Sequence, residues 1–172
     1  LNIITPVVYG SARVISYYKK LLNIEEFNYT QVRNKGQFAP KSINVINCWE
    51  DSLEINPGKA SKSSGKAAFV ALKQAVEELK EGVIDALVTA PIDKQSIHSE
   101  EFPFAGHTEY LTQFFEATQS LMFMVSDSLR IGLVLVGVGE LHNQAPHAER
   151  VEVTERAYVD VELVPKGAAV VG

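Results

Sequence analysis

The chain has a single cysteine, Cys48, among its 172 residues. That excludes an internal disulfide and fits a reducing compartment, so a cytoplasmic location is expected. Cys48 lies in the apolar stretch Val45-Ile46-Asn47-Cys48-Trp49, where a cysteine acts as a small packing group more readily than as a reactive one. No stretch approaches the roughly 18 apolar residues that span a bilayer, so no membrane partner is expected. There is no basic run, and the net charge of −5 argues against a nucleic-acid surface. A secretory leader is not expected either, because Leu1 to Pro6 lacks a basic flank followed by an apolar block. An initiator methionine is also lacking, and sequence upstream of Leu1 is expected. A complete dinucleotide fingerprint is missing as well. Gly137 and Gly139 begin one, but His142 stands where the third glycine belongs and Pro146 opposes the helix that should follow.

What is present is an ordinary globular composition with an alternating rhythm of strands and helices. Ile3 to Tyr9 is expected as a strand, with Ser11 capping a helix in which Val14, Tyr17, Tyr18, Leu21 and Leu22 recur at helical spacing. Ile43 to Cys48 is expected as a second strand, and Asn56 to Lys59 as a loop. The serine run Ser61 to Ser64 leads into the clearest helix of the chain. Ala68, Leu72, Ala75, Val76 and Leu79 line one face of it, with Lys and Glu opposite, and Gly82 ends it. Ile84 to Thr89 follows as a buried strand. A short helix is expected around Lys94 to His98, and another with Thr108 as its N-cap, running through Phe115. Leu121 to Val125 and Leu129 to Val136 flank Ser126-Asp127-Ser128 as a β-hairpin. Val151 to Val164 alternates as a half-exposed strand would, whereas Asn23 to Pro40 carries no clear signal. This pattern predicts an α/β fold, a sheet of mixed direction with covering helices.

Ligands of open α/β sheets sit beyond the carboxyl ends of the strands. Thr89-Ala90-Pro91-Ile92-Asp93-Lys94 leaves a buried strand at such an end, and Gly106-His107-Thr108-Glu109 precedes a helix whose free N–H groups and dipole favour an anion. A phosphate or carboxylate flanked by Lys94, His107 and Thr108 is chemically sensible. Lysine supplies charge, the hydroxyl a hydrogen bond, and the imidazole a hydrogen bond or a mobile proton. The residues alone favour the plainer reading, a helix start at Thr108-Glu109 and a solvated Asp93-Lys94 pair. His98, beside Ser99-Glu100-Glu101, is expected at the surface, and His142 and His147 as exposed loop residues.

Several blocks resemble, in order and spacing, the 4-hydroxythreonine-4-phosphate dehydrogenase family of vitamin B6 biosynthesis. They are Pro57 to Ser61 with Gly65 and Ala68, Ala86 to Lys94, Phe102 to Leu111, Met122 to Asp127 and Leu129 to Ile131. Together they cover roughly residues 5–135. The resemblance implies an isocitrate/isopropylmalate dehydrogenase-like α/β architecture, present in part, working as a homodimer. It divides the chain into a family-like domain, 1–136, and an unmatched segment, 137–172, packed on it. It also implies NAD-dependent oxidation, with decarboxylation, of 4-phosphohydroxy-L-threonine. His107 and Thr108 of the Gly-His-Thr-Glu block would bind this small phosphorylated substrate, with Lys94 near the same pocket.

The family holds a divalent metal (zinc, magnesium or cobalt) through three histidines. The position of the first falls on Gly137, and the block of the third has no counterpart. Ala145-Pro146-His147-Ala148-Glu149 is similar to the block of the second, which makes His147 the candidate ligand. The family's glycine-rich opening is absent. Two other functions fit the same architecture: a phosphate acyltransferase-like enzyme, which would bind coenzyme A, and a non-catalytic α/β dimerisation module.

Overall fold

The computed structural model describes residues 3–33, 35–50, 53–117, 120–125, 130–134 and 168–171. The chain divides into two compact units, one of residues 1–107 with 163–172 and one of residues 108–162.

The first unit is built on five parallel strands. These are β1 (Val7–Gly10), β2 (Tyr29–Val32), β3 (Ile43–Asn47), β4 (Ala86–Thr89) and, from the chain's last residues, the strand Ala168–Val171. That last strand, β7 in chain order after the hairpin strands below, lies inside the sheet, and the order is β2-β3-β1-β7-β4. Among the described residues this unit has three helices: α1 (Ala12–Leu21), α2 (Lys62–Lys80) and the single turn α3 (Lys94–Ile97).

Helix ends follow from local chemistry. Ser11 caps α1, its Oγ accepting from the Arg13 and Val14 N–H groups at 3.2 and 3.4 Å. Ser61 and Ser64 cap α2 reciprocally: Ser64 N–H donates to Ser61 Oγ at 3.1 Å and Ser61 N–H to Ser64 Oγ at 3.2 Å. Gly82, at φ 72°, turns the chain out of α2 in the left-handed region where a Cβ is unfavourable. Its N–H bonds the Leu79 carbonyl at 3.0 Å, and Val83 N–H bonds the Glu78 carbonyl at 2.9 Å.

The core lies between α2 and the sheet. Val7, Tyr9, Ala71, Leu72, Ala75 and Val76 are all buried there. Burying one such aliphatic side chain contributes about 1.5–3 kcal/mol, so this stripe dominates the stability of the unit. One expectation fails on this helix. Glu78, assigned to the charged face, is buried and accepts a 2.6 Å hydrogen bond from the Tyr9 hydroxyl, while Gln74 Nε2 donates to its other oxygen at 3.1 Å. Burial first, and the Glu78 bond second, push the Tyr9 hydroxyl well above its ordinary pKa. Cys48 is half-buried, and burial raises its thiol to about 12, so its role is packing.

The second unit contains all of α4 (His107–Phe114) except its first residue, and the antiparallel hairpin of β5 (Leu121–Val125) and β6 (Arg130–Val134). The expected hairpin is present with Phe123 opposite Gly132. It forms a two-stranded sheet of its own, and the five-stranded sheet is parallel throughout. Strand β2 arises in the stretch that carried no signal. The expected strand Val151 to Val164, with His142 and His147, lies outside the described residues.

Candidate anion site at the carboxyl end of β4

Beyond Thr89 the chain leaves β4 through Ala90-Pro91-Ile92 and turns into α3. Asp93 caps that turn: its Oδ1 accepts from the Ser96 N–H at 2.8 Å and also from the Ser96 hydroxyl. These bonds, the hydroxyl foremost, hold the Asp93 carboxyl below the usual carboxylate range. Lys62, in the first turn of α2, binds the other end of α3 by donating to the Gln95 and His98 carbonyls at 3.1 and 3.0 Å. Gly65 brings the two helices together. A Cβ there would overlap the Ser96 carbonyl, so only glycine permits this approach.

The result is a cavity of about 180 Å3 between the start of α2, the β4–α3 loop and His107, which Ser64, Gly65, Asp93 and Ser96 help to line. It has room for a phosphate group. It does not have room for a dinucleotide, since sites for larger ligands run to roughly 300–1,000 Å3. A cavity of about 440 Å3 lies elsewhere, beside α1.

The expected site residues fare differently. His107 lines the cavity, and burial lowers its pKa, so near neutral pH the imidazole is held in the uncharged form. Lys94 is exposed in the first turn of α3 and does not line the cavity. Thr108 is not the N-cap of α4. The helix begins one residue earlier, at His107, which puts Thr108 inside its first turn, in the second unit. The N-cap position falls on Gly106, which has no side chain to offer. The contrast with α1, α2 and α3 is direct, because Ser11, Ser61 and Asp93 occupy first-turn N–H groups of those helices. An oxygen anion can take that role at α4.

Sequence reasoning missed Ser96 and the packing role of Gly65. The available signal was the small-residue pair Gly65 and Ala68, three apart on a helix, where a backbone can come close. Among the described residues, no group of three His, Cys, Asp or Glu side chains could hold a metal ion.

Residues 2–139 match the family described as pyridoxal phosphate biosynthetic protein PdxA. The chain belongs to that family. It is 39% identical over 135 residues to the 4-hydroxythreonine-4-phosphate dehydrogenase of Bacteroides thetaiotaomicron, covering 78% of this chain and 37% of the relative. With the same-named protein of Sulfurihydrogenibium it shares 34% identity, over 76% of this chain and 40% of the relative. A Clostridium botulinum protein named provisionally as a D-threonate 4-phosphate dehydrogenase is 31% identical, over 73% and 38%. The PdxA-family chain described here thus spans about two fifths of the length of these curated relatives. In fold it is similar to the crystal structure of 4-hydroxythreonine-4-phosphate dehydrogenase from Klebsiella pneumoniae. The TM-score is 0.61 at 20% identity, covering 77% of this chain and 49% of that one. The corresponding Burkholderia phymatum structure gives a TM-score of 0.57. The expected dehydrogenase-like α/β architecture is therefore present.

Proposed function

We propose that this chain carries the phosphate-binding side of a 4-phosphohydroxy-L-threonine pocket, serving NAD-dependent oxidation and decarboxylation in pyridoxal phosphate biosynthesis. The observation that carries the reading is the position of His107. It lines the cavity at the carboxyl end of β4 and opens α4, whose N-cap position is a glycine. In this reading the neutral His107 imidazole donates a hydrogen bond to the substrate. The Thr108 hydroxyl adds a second bond, the first-turn N–H groups of α4 meet the phosphate, and Lys94 supplies positive charge from α3.

NAD would supply the hydride acceptor, and a divalent metal would polarise the reacting hydroxyl. Among the described residues no group of three His, Cys, Asp or Glu side chains could hold the metal, and no step is assigned to either group. His147 is the one candidate metal ligand, and it lies outside the described residues. Among the described residues no helix is long and apolar enough to cross a membrane. A cytoplasmic homodimer with no nucleic-acid partner completes the proposal.

Calorimetric titration with 4-phosphohydroxy-L-threonine, with and without zinc or magnesium, tests it. His107→Ala and Thr108→Val should each weaken binding about tenfold, as expected when a charge-assisted hydrogen bond worth roughly 1.5–3 kcal/mol is lost. Unchanged affinity in His107→Ala would remove the pocket assignment. Parallel titration with D-threonate 4-phosphate tests which phosphorylated hydroxy acid is preferred. Coenzyme A binding in place of either would favour the acyltransferase alternative.

A further inference from the structure

Among the described residues that line the cavity at the carboxyl end of β4, Asp93 alone is charged near neutral pH. No lysine or arginine is among them, and burial keeps the His107 imidazole uncharged. The Ser96 hydroxyl and N–H hold the Asp93 carboxyl below the usual carboxylate range, so it is ionised there. Asp93 has no ion-pair partner among the described residues, its neighbour Lys94 included. Capping α3 occupies one of its oxygens, because both Ser96 bonds fall on Oδ1. An ionised carboxylate offers about four acceptor sites on its two oxygens, so Oδ2 keeps acceptor capacity to spare. Capping does not need the charge either, since asparagine caps a helix as well as aspartate does. The charge does have a consequence for a ligand: it repels a phosphate brought against it and attracts an ammonium group.

We propose that Asp93 is a specificity-determining residue, which selects an amino-acid phosphate over the matching hydroxy-acid phosphate by accepting a hydrogen bond from the ligand's ammonium group at Oδ2. The inference rests on the pocket reading above and adds an orientation to it. The phosphate lies toward His107, where α4 opens, and the ammonium toward Asp93. 4-Phosphohydroxy-L-threonine and D-threonate 4-phosphate share a carboxylate, a hydroxyl and a phosphate. They differ at the carbon next to the carboxylate, which bears an ammonium in the first and a hydroxyl in the second. An ammonium makes a charge-assisted hydrogen bond to a carboxylate. A hydroxyl makes a neutral-donor bond, and it brings no positive charge to offset the repulsion between Asp93 and the ligand's own anionic groups. Buried Ser96 also holds the carboxylate in place through its two bonds, so little side-chain freedom is lost when a ligand arrives.

The test is the ratio of the two dissociation constants, measured by calorimetry on the full chain and on Asp93→Asn. Asparagine keeps the cap and removes the charge, and a ratio taken on one preparation is insensitive to any unfolded fraction. The unsubstituted chain is expected to bind 4-phosphohydroxy-L-threonine about fivefold more tightly than D-threonate 4-phosphate, the upper end for a solvent-exposed ion pair. In Asp93→Asn the ratio should fall to about one. The change should come from weaker binding of the ammonium ligand, with D-threonate 4-phosphate bound at least as well as before. A ratio that Asp93→Asn leaves unchanged, or equal weakening of both ligands, overturns the proposal and makes Asp93 a cap alone. If His107→Ala still weakens both ligands in that case, the pocket reading stands without it. Binding of neither ligand by the unsubstituted chain overturns both.

Discussion

Helices α1 and α2 pack on opposite faces of one sheet, yet only one of them is sealed. On α2, Leu72, Ala75 and Val76 are at most 1% exposed. On α1 and its C-terminal turn, Tyr17, Tyr18, Leu21 and Leu22 are 37–62% exposed. Both apolar stripes can be read from the sequence, that of α2 more clearly. The difference is that α2 runs across the middle of the sheet and meets β1, β7 and β4, whereas α1 meets β3 near one side. An amphipathic stripe therefore establishes that a helix has something to bury. What buries it, and how completely, depends on the neighbours available.

The same residue type on the two helices gives the sharpest test. Leu72→Ala should cost about 2–5 kcal/mol, because it opens a cavity in a close-packed layer. Leu22→Ala should stay within about 0.5 kcal/mol, as surface changes do. Urea unfolding of both variants measures the gap, and similar losses would mean that the α1 face is sealed after all.

Gly65→Ala comes next. It forces the start of α2 away from the Ser96 carbonyl and should cost about 1–3 kcal/mol, as overpacking does. Because Ser96 and Asp93 line the cavity proposed to take the phosphate, phosphate-ester affinity should fall along with stability. A stable variant with unchanged affinity would separate the cavity from the binding site.

The smallest expected effect is the pH dependence contributed by His107. Burial lowers its folded pKa below the ordinary 6.5, so around and below that value the unfolded chain binds more protons than the folded one. Stability is then expected to fall as the pH drops through 6.5 and to level off below the folded value. His107→Gln should flatten that slope in unfolding curves taken from pH 7.5 to 5.5. An unchanged slope would assign it to other groups.

Much of the site could be anticipated from residue order. The loop after β4 and the Gly-His-Thr-Glu start of α4 carry their chemistry locally, through a strand end and a helix start. Local signals also located the serine cap of α1, the serine run that opens α2 and the glycine that ends α2. Thr108 was misassigned as a cap because threonine is a good one, while the structure starts the helix at His107. Glu78 was misassigned to the surface because helical periodicity gives the angle of a side chain around its own helix. It says nothing of Tyr9, 69 residues away, which supplies the hydroxyl that Glu78 accepts from.

By itself, then, the sequence determined most of the elements, the serine cap of α1, the family and the candidates for an anion site, because each depends on residues close together in the chain. Tertiary structure alone decided the rest. It placed Ala168–Val171 between β1 and β4, set Gly65 against Ser96, left Lys94 exposed on α3 while His107 lines the cavity, and left the apolar residues of α1 partly exposed. These arrangements join segments far apart in the chain, and their energies come from complementary shape and burial, which no local pattern encodes.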